Sequence, residues 1–172
     1  DFWKVAPALL MGNTIIAKPS EITPLTAHRF GQILCEIGLP VGVVNIVHGY
    51  GPEIGQSLVE HPAVKAISFT GGTDTGRLVA RTAAPMFKKL SLELGGKNSS
   101  IILDDADLDL TVSGVVRAGF LNSGQICLCG SRILVHSSIY DEFLERFLAA
   151  VSELNIGPVI SEDHMTKVLS FI

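Results

Sequence analysis

Several kinds of signal are scarce in this chain, and each scarcity removes a class of function. Its 172 residues include three cysteines, an odd and small number. That excludes a disulfide framework and points to a reducing compartment, the cytoplasm. No apolar run is long enough to cross a bilayer, although the mean hydropathy is +0.42. There is no basic block, and the net charge is −4, so neither nucleic acid nor a membrane is expected as a partner. Repeats, low-complexity tracts and extended Pro/Ser linkers are absent. What remains is ordinary globular material: 47% of residues are apolar and 17% charged, enough to bury a core and too little charge for disorder. The length fits one domain or pieces of two. The start, DFWKVAPALLMGN, lies in mid-pattern, and the end, EDHMTKVLSFI, stops inside an apparent helix. Both features read as an internal piece of a longer protein, which leaves any targeting signal unreadable.

Short apolar runs alternate with helical patterns. Strands are expected at residues 14–18, 41–49, 64–69, 88–94, 99–103 and 132–136. Helices are expected at 25–37, 51–61, 73–84, 107–121 and 139–154, with Gly38 a stop signal. This alternation predicts an α/β fold with a parallel, Rossmann-like sheet, whose ligands sit at the carboxyl ends of the strands. The paired glycines of ELGGKN make the best hinge. They divide the chain into residues 1–95 and 96–172.

Glycine-rich turns supply the first candidates. GYGPEIG places Gly49, Gly51 and Gly55 between a strand and a helix, one residue too long for the dinucleotide fingerprint, and the spacing favours a plain tight turn. FTGGTDTG follows a strand and opens a helix. Gly71 and Gly72 there either let a phosphate approach bare N–H groups or simply make a turn. AKPSE sets Lys18 and Glu21 beyond a strand end, as a ribose clamp or as an exposed surface pair. LELGGK sets Glu93 among apolar residues. An apolar setting raises a carboxyl pKa and suits a general base, and a paired structural glutamate is the alternative.

The stretch GFLNSGQICLCGSR brings Cys127 and Cys129 within two positions. Two cysteines are too few for a zinc site, and the five histidines do not cluster. C-x-C is not the C-x-x-C redox motif either. A core thiol or a nucleophile remains. The turn-forming NSGQ before Cys127 could aim backbone N–H groups at the sulfur, lowering its pKa and forming an oxyanion site.

In this order and spacing, AKPSE, FTGGTDTG, LELGGK and FLNSGQICLCGSR resemble the aldehyde dehydrogenase superfamily over essentially the whole chain. The ICLC context is similar to the branch acting on muconic semialdehydes. The resemblance implies that residues 1–95 are part of an NAD-binding domain and 96–172 part of a catalytic domain. It implies that Cys127 attacks an aldehyde to give a thiohemiacetal, that hydride passes to NAD, and that Glu93 activates water to release the resulting thioester. Cofactor contacts are implied at Lys18, Ser20, Glu21, Gly51, Gly55, Phe69, Thr70, Gly71, Gly72, Gly76, Leu94 and Gly95, and no metal. A carboxylate at Glu21 favours NAD over NADP. Trp3 is placed along the substrate tunnel and Cys129 in the core or near substrate, while Cys35, on an expected helix, is read as core. The parent enzyme is expected to be a homodimer or homotetramer acting on a small aldehyde.

The resemblance is incomplete in four places. Gly72 stands where the family usually has serine. The chain begins after the Pro-Trp-Asn segment, whose asparagine gives a second oxyanion donor. It ends before the Glu-x-Phe-Gly-Pro segment and the bridging strands. SELNIGPVIS is shorter than the corresponding loop of relatives. A non-catalytic nucleotide-binding or interaction remnant is therefore the alternative function. Acyl transfer to coenzyme A is a remoter one, against which Glu93 argues.

Overall fold

The computed structural model describes residues 2–156 and 168–169. Two compact units divide the chain, Asp1–Leu94 and Gly95–Ile172.

In the first unit the order is α1 (Phe2–Leu10), β1 (Ile15–Ala17), α2 (Leu25–Glu36), β2 (Val44–Ile46), α3 (Gln56–Glu60), β3 (Ala66–Gly71), α4 (Thr73–Ala83) and β4 (Lys89–Leu94). α2 stops where the sequence predicts: Gly38 takes a positive φ of 77°, and its N–H donates to the Cys35 carbonyl. β1 pairs in parallel with β2, and β3 with β4. Val59, Val79 and Ala83 form the buried centre, with Ile67, Phe69, Leu90 and Leu92 packed on it. The inward face of β4 is thus its leucines, every second residue. Lys88 is buried just before β4, and its ammonium donates to the carbonyls of Val59 and His61, satisfying the end of α3.

The second unit runs β5 (Ser99–Ile102), α5 (Leu108–Phe120), β6 (Arg132–Val135), α6 (Tyr140–Ser152), β7 (Asn155–Ile156) and β8 (Val168–Leu169). Asp107 caps α5, accepting from the N–H groups of Asp109 and Leu110. β5 pairs in parallel with β6, and β7 with β8. Ile102, Val112, Val115 and Phe143 make the core, with the Phe143 and Phe147 rings stacked at 5.6 Å.

The α/β character and the parallel pairing are as expected. Four details differ. The strands form four separate two-stranded ladders rather than one sheet among the described residues. Phe2–Leu10 is a helix although it contains Pro7. The region expected as one helix over 51–61 opens with a wide turn at Gly51–Gly55, where the Gly55 N–H reaches back five residues to the Tyr50 carbonyl at 3.5 Å, and only Gln56–Glu60 is α-helical. Val168–Leu169 pairs as a strand instead of continuing a helix. The rest of that terminal stretch, and GPVIS, lie outside the described residues. Among the described residues no helix is long and apolar enough to cross a membrane.

Candidate active site

Two groups of candidate residues form in the first unit, each at the carboxyl end of a parallel pair. Beyond β1 and β2, the Lys18 ammonium donates to the carbonyls of Pro19 and Gly49, both at 2.8 Å, and meets the Glu21 carboxylate at 3.3 Å. The lysine side chain is only 15% exposed. Gly55 lies against its stem, since a Cβ there would be 3.7 Å from Lys18 Cε. The Glu21 carboxyl is held below the ordinary glutamate range, first by its own backbone N–H, then by Lys18, with the Gly51 N–H adding to these. Lys18, Glu21, Gly51 and Gly55 therefore converge. The exposed Ser20 instead serves its own turn, its hydroxyl accepting from the Ile22 N–H.

Beyond β3 and β4 lies the second group. The register sets Thr70 opposite Glu93 and Gly71 opposite Leu94. The Phe69 ring covers Gly71, where a Cβ would be 2.5 Å from Phe69 Cζ. Gly72 is the N-cap residue of α4 and supplies no side-chain cap. The N–H groups of Thr73, Asp74 and Thr75 in the first turn of α4 have no acceptor among the described residues, the arrangement that receives an anion. Gly76 packs on Leu94. Gly95, next in sequence, is exposed. The two groups share no hydrogen bond among the described residues.

Glu93 corrects an expectation. It is exposed, because β4 alternates and turns Leu90, Leu92 and Leu94 inward while Ser91 and Glu93 face out. An apolar setting does not surround it in this unit. Its charge is felt by Lys4 of α1, whose ammonium burial pushes below the ordinary lysine range while Glu93 counteracts the shift. Trp3, beside it, is 92% exposed.

Cys127 lies in the second unit, on the loop from α5 to β6. Asn122, Ser123 and Gly124 take three successive positive φ values of 52°, 58° and 69°. This run reverses the chain and costs energy at its two non-glycine positions. A tight turn follows, closed by the Cys129 N–H on the Ile126 carbonyl at 2.9 Å. Cys127 is exposed at that turn and Cys129 is buried, 5% exposed. Neither the Cys127 nor the Leu128 N–H has an acceptor among the described residues. The Cys127 carbonyl accepts from Asn98 Nδ2 at 2.6 Å. Cys35 is exposed on α2 rather than in the core. Sequence reasoning singled out neither Asn98 nor Lys4: Asn98 stands 29 positions from its partner, and a contact at that range has no periodic signal.

A groove of about 440 Å³ between α5 and α6, lined by Asp109, Val112, Ser113, Arg146, Ala149 and Ala150, contains none of the candidate residues. No three His, Cys, Asp or Glu side chains among the described residues converge as metal ligands.

Residues 2–172 match the family described as "Aldehyde dehydrogenase family". The human 2-aminomuconic semialdehyde dehydrogenase is 50% identical over 180 residues, covering 99% of this chain and 37% of that protein. The 2-hydroxymuconic semialdehyde dehydrogenase of Pseudomonas sp. (strain CF600) is 47% identical, covering 98% and 37%. The crystal structure of PnpE in complex with nicotinamide adenine dinucleotide is similar at a TM-score of 0.85 and 48% identity, covering 90% of this chain and 32% of that one. The chain thus spans about a third of the length of these relatives.

Proposed function

The chain belongs to the aldehyde dehydrogenase family, and on that premise we propose that it carries the nucleophile, the deacylating base and much of the cofactor site for NAD-dependent oxidation of an aldehyde to a carboxylic acid. The observation that carries this reading is the Cys127 turn: an exposed thiol beside a backbone N–H that has no acceptor among the described residues.

The Cys127 thiolate attacks the aldehyde carbon, and its own N–H donates to the oxyanion that develops, a contribution that in other enzymes is worth about a hundred- to a thousand-fold in rate. NAD supplies the hydride acceptor. The substrate carbon is left as a thioester on Cys127. Glu93 takes a proton from water as that water attacks the thioester, releasing the acid and the thiol. Glu93 faces out of β4 and meets solvent there. Lys18 and Glu21 fit the adenosine ribose hydroxyls, with Glu21 repelling a 2′-phosphate. Gly71, Gly72 and the first turn of α4 fit the pyrophosphate, through backbone donors where the usual serine is missing. Phe69, Thr70, Gly76 and Leu94 would contribute further to holding the cofactor, and Gly95 would lie near the nicotinamide. Similarity to the muconic semialdehyde dehydrogenases supports a dicarboxylate-type semialdehyde as substrate. The same reading makes the full-length protein a cytoplasmic homodimer or homotetramer.

The test is site-resolved alkylation of the folded chain near neutral pH, with and without NAD, read by peptide mass spectrometry. Cys127 is expected to react well ahead of Cys35, with NAD changing its rate. Equal reactivity of exposed Cys127 and Cys35, indifferent to NAD, refutes the reading and leaves a nucleotide-binding or interaction module.

A further inference from the structure

We propose that Asn98 is a positioning residue for Cys127: its side-chain amide pins the peptide plane that follows the thiol-bearing residue, while the Cys129 N–H holds the plane before it, which carries the Cys127 N–H, so that together they fix the sulfur and that N–H relative to each other. This rests on Cys127 being the nucleophile.

The contact is defined by its chemistry. A carbonyl oxygen can only accept, so the group facing it at 2.6 Å must be the NH₂ end of the Asn98 amide. Nothing else among the described residues donates to that carbonyl. The turn is closed from the other side by the Cys129 N–H on the Ile126 carbonyl. Between these two bonds the soft backbone dihedrals of Cys127 have little freedom, because peptide units are planar and move as plates. The plane of the Ile126 carbonyl carries the Cys127 N–H and is held by Cys129, leaving that N–H without an acceptor among the described residues, and the tethered Cys127 carbonyl oxygen cannot swing toward a developing oxyanion and repel it.

Asn98 is itself firmly mounted. Its backbone carbonyl accepts from the Arg132 N–H at 3.1 Å, and the Arg132 guanidinium donates to the Lys97 carbonyl at 2.7 Å. The amide therefore hangs from the entry of the β5–β6 ladder. The far side of the Cys loop is laid tightly on the same strand. The Gly130 N–H donates to the Ala118 carbonyl at 3.1 Å, and a Cβ on Gly130 would come 2.5 Å from Ser100 Oγ. Loop and ladder are thus in register before any ligand arrives, and the Asn98 bond sets the remaining degree of freedom. Replacing the side chain leaves the backbone bond to Arg132 in place, so the platform survives the substitution.

Two reactions at one sulfur separate positioning from mere support. Alkylation by iodoacetamide develops no oxyanion. Acylation by p-nitrophenyl acetate does, and needs the N–H. Both rates are measured at Cys127 in the full chain and in Asn98→Asp, which keeps the shape but presents an acceptor to the carbonyl. Asn98→Ser, which merely shortens the side chain, is measured in parallel, and Asn98→Gln tests rescue by a retained donor. Burial of Cys129 and far-UV circular dichroism report on folding. Asn98→Asp is expected to slow acylation by about ten- to a hundred-fold, less than outright loss of an oxyanion donor, while alkylation changes far less. Asn98→Ser should show the same split and Asn98→Gln a smaller one. Equal slowing of both reactions, or unchanged acylation in the folded variants, overturns the proposal. If the unsubstituted chain acylates Cys127 no faster than Cys35, the nucleophile reading itself fails and takes the proposal with it.

Discussion

Gly76 offers the sharpest test of how the cofactor end of the first unit is built. It is buried in α4, and a Cβ there would stand 2.6 Å from Leu94 Cδ2 and 3.0 Å from Leu94 Cδ1. Real atoms do not approach so closely, so Gly76→Ala must turn the Leu94 side chain or lift α4 off β4. Overpacking of this kind costs about 1–3 kcal/mol. Alanine gains about 1 kcal/mol over glycine in a helix interior. The clash meets the methyl ends of a half-buried leucine, which places its cost in the lower half of the range. A net destabilisation of about 0–1 kcal/mol results, against a gain for the control. Gly114 in α5 provides the control, because nothing lies within 4 Å of a Cβ built there. Gly114→Ala should show only the propensity gain, about 1 kcal/mol of added stability. Denaturant melts of the three chains give the stabilities, and equilibrium titration with NAD gives the affinity. Gly76→Ala should also weaken NAD about tenfold, since its helix carries the bare N–H groups and its neighbour follows Glu93; tenfold is about 1.4 kcal/mol. If Gly76→Ala is stabilised as Gly114→Ala is, and binds NAD like the parent, the close approach of α4 to β4 does not organise the site.

Two further outcomes follow from the geometry. Because the folded Glu21 carboxyl titrates below its unfolded value, the unfolded chain binds more protons in the window between the two, and stability there rises with pH. The contribution is complete above the ordinary glutamate value, about 4.3, and is lost as the pH falls through the lowered one. Acid melts of Glu21→Gln should therefore have a flatter acid limb than the parent, and coincident limbs would contradict the Lys18–Glu21–Gly51 arrangement. Asp107→Ala removes both acceptor contacts at the start of α5 and should cost about 0.5–2 kcal/mol. Asp107→Asn should restore most of it, and equal melts for all three chains would show that the cap carries no stability.

Most of the secondary structure could be read from the sequence because punctuation and period agree there. Gly38 ends α2, Asp107 opens α5, and the alternation in KLSLEL declares a strand with one inward face. That alternation also contained the exposure of Glu93; its apolar neighbours occupy the opposite face, and adjacency in sequence is not adjacency on a strand. Helix α1 escaped because Pro7 reads as a breaker. The separation of the strands into pairs escaped because ladder partners are set by long-range packing, which no local pattern encodes. The same holds for the Asn98 contact to Cys127 and for the gathering of Gly51 and Gly55 around Lys18. Motif order supplied the candidates, and only the fold tells which of them share a neighbourhood.

The two-stranded ladders have a consequence for handling the protein. Each of the eight strands described has a side on which no other described strand pairs with it. Parallel strands are ordinarily covered on both faces and joined on both sides. Among the described residues these margins stand open, with Ile101, Leu103 and Leu134 among the exposed apolar residues, and offer templates onto which a second copy can lay a strand. Self-association should therefore rise steeply with concentration, and dilute, cold preparation becomes a condition for every assay above.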